Sequence, residues 1–161
     1  MKDLPRRKAN RLDGFDYSTN GAYFITICTV NKKCIFWKNP ITIKINDDIV
    51  LTEYGLIADK AINNISSHYE NIKVDNYVIM PNHIHLLLNV SCKCGRAMLA
   101  PTISTVIMQL KGYITKEIGF SVWQKSFYDR IIRNEQEYLE IWEYIKNNPI
   151  NWQNDSLFAD K

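Results

Sequence analysis

Two strand-like runs joined by a very short connection constrain this fold more than any other feature of the sequence. Residues 72–80 (IKVDNYVIM) and 83–90 (HIHLLLNV) are rich in β-branched and apolar side chains, and only Pro81 and Asn82 lie between them. Parallel neighbours need a crossover of about a dozen residues or more, so a two-residue link favours antiparallel pairing. The sequence therefore predicts a sheet with an antiparallel pair of strands.

Four further segments complete the predicted architecture. Residues 22–29 predict a first strand after an Asn-Gly turn, residues 34–37 a short returning strand, and residues 121–132 a fourth strand with weaker signals. Residues 52–69 predict a helix capped by Thr52. Its apolar stripe is Leu56, Ala58, Ala61, Ile62 and Ile65.

Two more helices follow from the same kind of pattern. One begins at Pro101 and Thr102 and ends at Gly119, and the other is capped by Asn134, spans residues 135–148 and stops at Pro149. The order strand, helix, strand, strand, helix, strand predicts an α+β fold, the ferredoxin-like split βαβ sandwich. Its antiparallel sheet carries helices on one face, which leaves the other face for a site, and the C-terminal helix is an addition.

Composition places the chain among soluble globular proteins. Of its 161 residues 46% are hydrophobic and 23% charged, as expected for a single domain over residues 1–161 with a basic N-terminal segment at 1–20. No apolar run approaches the roughly 20 residues of a membrane span, and no apolar segment follows the basic start as in a secretory signal. We therefore expect a cytoplasmic protein with no membrane partner.

The four cysteines do not form a usual zinc pattern. Cys92 and Cys94 are separated by one residue, whereas zinc pairs normally have two to four residues between them. Cys28 lies in a strand-like run and Cys34 after a Lys-Lys turn. Reduced, mostly inert thiols are the better interpretation.

Positive charge is unevenly distributed, although the net charge is only +3. The basic residues that are candidates for DNA contact are Arg6, Arg7, Lys8, Arg11, Lys125, Arg130 and Arg133. The last three are interleaved with Trp123, Phe127 and Tyr128, a pattern compatible with a single-stranded nucleic acid. Solvated basic residues at the ends of elements explain the same composition equally well.

Two of the three histidines stand at alternate positions of one predicted strand. Residues i and i+2 of a strand point to the same face, so the imidazoles of His83 and His85 should lie side by side, with Ile84 in the opposite layer. Neighbouring imidazoles are natural ligands for a divalent cation. Two histidines satisfied by hydrogen bonds remain the alternative.

The predicted C-terminal helix carries a second pair of candidates. Tyr144 and Asn148 are four residues apart and therefore share a helix face, so a nucleophilic phenol and a weak amide ligand can approach the sheet together. Tyr138, Trp142 and Ile145 form the better apolar stripe, which leaves Tyr144 freer for a partly exposed role. A packing role for Tyr144 is the alternative, and Tyr128 and Tyr138 compete as nucleophiles.

Taken together in order, the motifs of this chain resemble those of the REP-associated tyrosine transposases, a branch of the HUH single-tyrosine transposases. The resemblance covers nearly the whole chain. The motifs that carry it are Arg6-Arg7-Lys8 with Arg11-Leu12, Asp16-Tyr17-Ser18, residues 21–26 (GAYFIT), residues 78–87 (VIMPNHIHLL), Trp123-Gln124, residues 128–134, Tyr144-Ile145 and Asn148-Pro149.

The resemblance implies a fold, a reaction and a site. It implies a ferredoxin-like core in which His83 and His85 bind Mg²⁺ or Mn²⁺ and Asn148 occupies the position of a further polar ligand. It implies that Tyr144 attacks single-stranded DNA to give a 5′-phosphotyrosine and a free 3′-OH. The substrates would be imperfect palindromic hairpins in a bacterial cytoplasm, with the protein associated with the nucleoid as a monomer or homodimer.

Two other functions remain open at this point. A non-catalytic DNA-binding derivative would use the same surface without chemistry. A metal-dependent hydrolase would cut DNA through an activated water held at His83 and His85, without a covalent adduct.

Overall fold

A four-stranded antiparallel sheet forms the centre of the molecule. The computed structural model describes residues 20–40, 48–91 and 102–159. The strands are β1 (Gly21–Cys28), β2 (Ile72–Ile79), β3 (His83–Val90) and β4 (Tyr128–Ile132). They lie side by side in the order β2-β3-β1-β4, and every neighbouring pair is antiparallel. This is the predicted ferredoxin-like α+β arrangement, which is thus confirmed.

Four α-helices accompany the sheet in the described part of the chain. They are α1 (Glu53–Asn63), α2 (Ile65–His68), α3 (Ile103–Ile118) and α4 (Glu135–Asn147), with short 3-10 turns at Val30–Lys32 and Trp152–Asn154. Side-chain oxygens of Thr52, Thr102 and Asn134 accept hydrogen bonds from the first turns of α1, α3 and α4. Gly119 ends α3 in the left-handed region (φ 88°), which a residue without Cβ adopts at little cost.

The two faces of the sheet bury different sets of side chains. One face packs against α1 and α3, and there the alternate residues Ile25, Ile84 and Leu86 are fully buried in the large apolar core. The opposite face packs against α4 in a smaller cluster that centres on Leu87, Ile141 and Ile145. Strand alternation thus separates the main core from the face that carries the histidines.

A β-bulge in β2 connects that strand to α4. The register with β3 shifts between Val74 and Asn76, which leaves Asp75 as the extra residue. The Asp75 carboxylate accepts a hydrogen bond from the Tyr138 hydroxyl at 2.9 Å. The bulge therefore supplies a polar attachment for the N-terminal half of α4.

Several predicted boundaries are corrected by the structure. Residues 34–37 do not form a strand, because their main contacts are two backbone bonds to Pro81 and an isolated bridge from Trp37 to Leu51. The helix predicted at 52–69 is divided at Asn64. Leu56 is 59% exposed, since it lies about half a turn away from the buried stripe of Ala58 and Ile62.

Further differences concern the C-terminal half. The fourth strand occupies only the end of the predicted segment. Helix α3 begins after its cap Thr102, and Pro101 itself lies outside the described residues. In α4 the buried stripe is Ile141 and Ile145, with Tyr138 and Trp142 only partly buried. Within the described ranges, no helix combines the length and apolar character that a membrane span needs.

Candidate active site

The histidine pair lies on the face of the sheet that α4 covers. His83 and His85 are the first and third residues of β3, so both side chains point the same way, while Ile84 is buried in the main core. Their ring centroids are 4.6 Å apart and their Nε2 atoms 3.1 Å apart. Both rings are almost fully buried, with exposed fractions of 0% and 3%.

The tautomer of His83 follows from its neighbour Asn82. The Asn82 amide nitrogen donates to two carbonyl oxygens, those of Lys32 at 3.2 Å and Leu157 at 2.8 Å. Carbonyls only accept, so Asn82 Oδ1 must face His83 Nδ1, 2.8 Å away, and accept its proton. This leaves Nε2 of neutral His83 as an acceptor, 3.1 Å from His85 Nε2, with the lone pair that a metal ligand needs.

His85 is held by two residues of the adjacent strand β1. Its Nδ1 lies 2.8 Å from the hydroxyl of Thr26, and its ring stacks on Phe24 with centroids 5.1 Å apart. Burial lowers the pKa of His85 to about 3. Burial, followed by the effects of His85 and Lys32, lowers the pKa of His83 to about 2. Both rings are therefore neutral at pH 7, the form in which histidine binds metals.

A carboxylate completes the group of possible ligands. Asp155 follows the 3-10 turn after α4, and one ligand atom each from His83, His85 and Asp155 lies within 4.8 Å of the others. Asp155 Oδ1 accepts from the Leu157 amide at 2.7 Å, while Oδ2 lies 3.8 Å from His83 Nε2. These three residues can hold a metal ion, although the sequence analysis did not include Asp155.

Tyr144 reaches this group from α4. Its hydroxyl lies 3.5 Å from His85 Nε2, and its ring meets Phe24 edge-on with centroids 5.9 Å apart. The residue is 47% exposed, as its position beside the apolar stripe predicted. Burial of the phenol, followed by the charge of Asp155, raises the pKa of Tyr144, whereas a hydrogen bond from Asn148 lowers it.

Asn148 lies one turn beyond Tyr144 and is 3% exposed. Its Oδ1 is buried and has no hydrogen-bond partner in the structure. A buried amide oxygen without a partner is costly, so this atom is suited to accept from a bound group or to coordinate a cation. The structure thus places Asn148 beside Tyr144, as the four-residue spacing predicted.

An open cleft gives access to the tyrosine. It has a volume of about 440 Å³, and Tyr144, Asn148 and Asp155 line it together with polar residues of α4 and the following turns. The cleft leaves Tyr144 accessible from solvent, whereas His83 and His85 are buried.

Known proteins share sequence or fold with this chain. No family model matches the chain. An uncharacterized protein of Haemophilus influenzae is 37% identical to it over 178 residues, which span 98% of this chain and 96% of that protein. The two chains belong to one family.

Solved structures place that family in a known fold. A REP-associated tyrosine transposase bound to a REP hairpin superposes with a TM-score of 0.62 and 18% identity, covering 94% of this chain and 74% of that one. A candidate transposase from Deinococcus radiodurans R1 gives a TM-score of 0.50 and 15% identity, covering 85% and 95%. This chain has the REP-associated tyrosine transposase fold. The resemblance indicated by the motifs is confirmed at that level.

Among the described residues, the basic candidates lie in β4 or within three residues of it. Lys125, Arg130 and Arg133 are exposed, and Arg130 forms an ion pair of 2.5 Å with Glu137. Trp123 is 9% exposed and donates its indole N–H to Lys111 O, so it cannot serve as a stacking platform. Arg6, Arg7, Lys8 and Arg11 lie outside the described residues, as do Cys92 and Cys94. Within the described ranges, neither Cys28 nor Cys34 forms a disulfide.

Three residues of this transposase-fold site were missed from the sequence. Asn82 stood inside the resembling motif but had no assigned role, although its position beside His83 was a usable signal. Asp155 and Trp152, whose ring centroid lies 5.9 Å from that of His83, follow α4 in a segment without periodicity. Only the path of the folded chain brings these two residues to the histidines.

Proposed function

We propose that this protein is a metal-dependent single-strand DNA transposase and endonuclease that nicks and rejoins hairpin DNA through a 5′-phosphotyrosine. The observation that carries the proposal is the position of Tyr144. This residue is 47% exposed, and its hydroxyl lies 3.5 Å from His85 Nε2, beside the group of possible ligands His83, His85 and Asp155. The hairpin bound to the REP-associated transposase of the same fold supports DNA of that kind as the substrate.

The donor set fits a divalent cation. His83 and His85 would hold Mg²⁺ or Mn²⁺ through their Nε2 atoms, with oxygen ligands from Asn148 or Asp155 beside them. Such an ion, when bound, polarises the scissile phosphate and stabilises charge that develops on it. The buried surroundings of both rings keep them unprotonated and fixed in orientation.

The covalent step uses the Tyr144 oxygen. A bond forms between that oxygen and phosphorus while the bond from phosphorus to O3′ breaks, so one phosphodiester replaces another. The fragment downstream of the cut remains on the enzyme through its 5′ phosphate, and the upstream fragment ends in a free 3′-OH. The phenol loses its proton to solvent through the open cleft, and the departing O3′ takes one up. Reversal by a 3′-OH rejoins DNA without an external energy source.

The alternative tyrosines are less well placed. Tyr138 lies six residues before Tyr144, which is about 9 Å along the helix, and its hydroxyl donates to Asp75. Burial, followed by the hydrogen bond and charge of Asp75, raises the pKa of Tyr138 to about 12. Tyr128 is exposed on the edge strand β4. We therefore assign the nucleophile to Tyr144.

Strand β4 supplies a surface for the DNA. Thr26 pairs with His85 on one side and with Tyr128 on the other, so all three side chains share the α4 face. Tyr128 is 54% exposed and Arg130 stands two residues on along the same face. Tyr128 can stack a base and Arg130 can contact a phosphate, with Lys125 and Arg133 nearby in sequence.

Labelled hairpin oligonucleotides from the DNA that flanks the gene provide the test. Wild type, Tyr144→Phe and the control Tyr138→Phe are incubated with Mg²⁺ or Mn²⁺ and separated on a denaturing gel. We expect a metal-dependent covalent band in wild type and Tyr138→Phe, and none in Tyr144→Phe, which still binds DNA in a mobility-shift assay.

Each other result would assign a different nucleophile or a different function to this protein. An adduct in Tyr144→Phe moves the nucleophile to Tyr128 or Tyr138. Cleavage without any adduct identifies a hydrolase that uses water, and tight binding with neither product identifies a non-catalytic DNA-binding derivative. Chromatography of the same samples distinguishes a monomer from a homodimer.

A further inference from the structure

We infer that Asp155 supplies the anionic ligand of the metal centre, so that the segment after α4 forms part of the site. This inference rests on the proposed metal-dependent function and deepens it. The two histidines and Asn148 are neutral, and Asp155 is the carboxylate that the described part of the chain brings to them. A carboxylate is the ligand that Mg²⁺ and Mn²⁺ prefer.

Two atoms that only accept hydrogen bonds, His83 Nε2 and Asp155 Oδ2, lie close together in the site. His83 donates its Nδ1 proton to Asn82, so its Nε2 carries a lone pair. Asp155 Oδ2 lies 3.8 Å from that nitrogen, and the Asp155 side chain is 6% exposed. Because the proton of the ring is on Nδ1 and faces Asn82, the contact between His83 Nε2 and Asp155 is not an ion pair. Two buried acceptors this close are stabilised by a cation between them.

Contacts at several points hold Asp155 and its neighbouring residues in place. The segment of residues 152–159, called here the C-terminal strap, returns to the connections that follow β1 and precede β3. Trp152 Nε1 donates to Pro40 O at 2.8 Å, and Asn82 Nδ2 donates to Leu157 O at 2.8 Å. The Cys34 thiol contacts Ala159 O at 3.3 Å. The position of the Asp155 carboxylate is thus fixed by the hydrogen bonds of the strap that carries it.

Asn82 links the strap to the histidines. Its Oδ1 accepts the Nδ1 proton of His83 and so fixes the metal-binding tautomer. Its Nδ2 donates to Leu157 O and so holds the strap. Because the same amide fixes a ligand and the segment that carries Asp155, docking of the strap and formation of the site depend on each other. The strap is therefore expected to become more stable when the ion binds.

Direct titration of Mn²⁺ into the full chain tests the assignment without DNA. Free Mn²⁺ is measured by its electron paramagnetic resonance signal for wild type, Asp155→Asn, Asn148→Ala and the control Glu143→Gln, which removes a carboxylate from the same cleft. We expect Asp155→Asn to raise the Mn²⁺ Kd by at least about tenfold, the smallest loss typical of residues that merely orient metal ligands. Glu143→Gln should change it less than about twofold.

Folding and function are separated in the same set. Thermal melts without metal check that each variant folds, and Asp155→Ser serves if Asp155→Asn does not. An unchanged Kd in Asp155→Asn, or a wild type that binds no Mn²⁺ at millimolar concentration, overturns the assignment. A tenfold loss in Asp155→Asn beside a wild type that forms no DNA adduct leaves the ligand in place and rejects the transposase chemistry instead.

Discussion

Strand β3 sends alternate side chains to two faces of the sheet that are equally buried and chemically different. On the face toward α1 and α3, Ile84 and Leu86 are 0% exposed in an apolar core. On the face toward α4, His83 and His85 are 0% and 3% exposed, and each ring nitrogen has a polar neighbour. Burial alone therefore does not distinguish the stabilising face from the candidate site; the polar partners do.

Burial away from water has different consequences for the apolar side chains of one face and for the imidazoles of the other. In the core it removes apolar surface from water and stabilises the fold. At the histidines it disfavours the charged form of each imidazole, which lowers the pKa values to about 2 and 3. On the α4 face burial thus keeps both imidazoles neutral, the form in which histidine binds a metal.

The largest effects are expected for two adjacent residues of β3, His85 and Ile84, whose side chains point to opposite faces of the sheet. His85→Ala should reduce metal-dependent DNA adduct formation by about 1000-fold or more, since it removes a proposed ligand beside the nucleophile. Ile84→Ala should lower the free energy of unfolding by about 2–5 kcal/mol through the cavity it leaves. Adduct yield per folded molecule and urea melts measure the two effects. Equal loss of activity in both folded variants would contradict the separation of a stabilising face from a face that carries the chemistry.

A second effect is expected at Asn82, which touches both the histidine and the strap. Asn82→Ala removes the acceptor of His83 Nδ1 and should weaken Mn²⁺ binding by about 10- to 100-fold. Asn63→Ala is a suitable control, because that amide lies in α1 against Tyr77 on the other side of the sheet. Titration with Mn²⁺ measures both, and a wild-type Kd for Asn82→Ala would show that His83 keeps its tautomer unaided.

A third comparison uses two adjacent leucines that are both fully buried. Leu86 lies in the large core, and Leu87 lies in the small cluster under α4. Leu86→Ala should cost about 2–5 kcal/mol of unfolding free energy. Leu87→Ala should cost less but slow adduct formation more, by roughly tenfold, because it loosens the helix that positions Tyr144.

Rates per folded molecule, measured beside urea melts, decide this third comparison. If Leu86→Ala slows the chemistry as much as Leu87→Ala, the two faces act as one unit and α4 has no separate role in positioning the tyrosine.

Local patterns in the sequence were sufficient to predict the core face of the sheet and some of the residues on the α4 face. Period-two alternation predicted which residues of β3 face the core, and side-chain capping predicted the starts of α1 and α4. The four-residue spacing brought Tyr144 and Asn148 to one surface. Each of these features depends on neighbours within about one turn or one strand, where geometry is fixed by the backbone.

The remaining parts of the site depend on contacts distant in sequence. Asp155 meets His83 across 72 residues because the strap turns back after α4, and no periodic signal marks that path. The sequence likewise suggested Trp123 as a possible stacking residue, since composition shows an aromatic ring without showing that α3 covers it. Leu56 was assigned to a buried stripe although its angular position places it on the opposite side of α1.

The smallest expected effect concerns a stabilising contact on the α4 face itself. The Tyr138 hydroxyl donates to Asp75 at 2.9 Å, and removal of this bond in Tyr138→Phe should cost about 1 kcal/mol at pH 7. Because burial and Asp75 raise the folded pKa to about 12, above the value near 10 of an unfolded tyrosine, folding favours the neutral phenol. The contribution is complete below about pH 10 and is lost as pH rises toward 12.

Urea unfolding of wild type and Tyr138→Phe at pH 7, 9, 10 and 11 measures this contribution. The difference in unfolding free energy should stay constant to about pH 9 and then shrink, since only wild type loses the neutral phenol. A difference that grows with pH would reverse the sign of the linkage and show that Asp75 does not hold Tyr138. A shrinking difference with unchanged DNA adduct yield at pH 7 would show that the α4 face contains a stabilising contact separate from its chemistry.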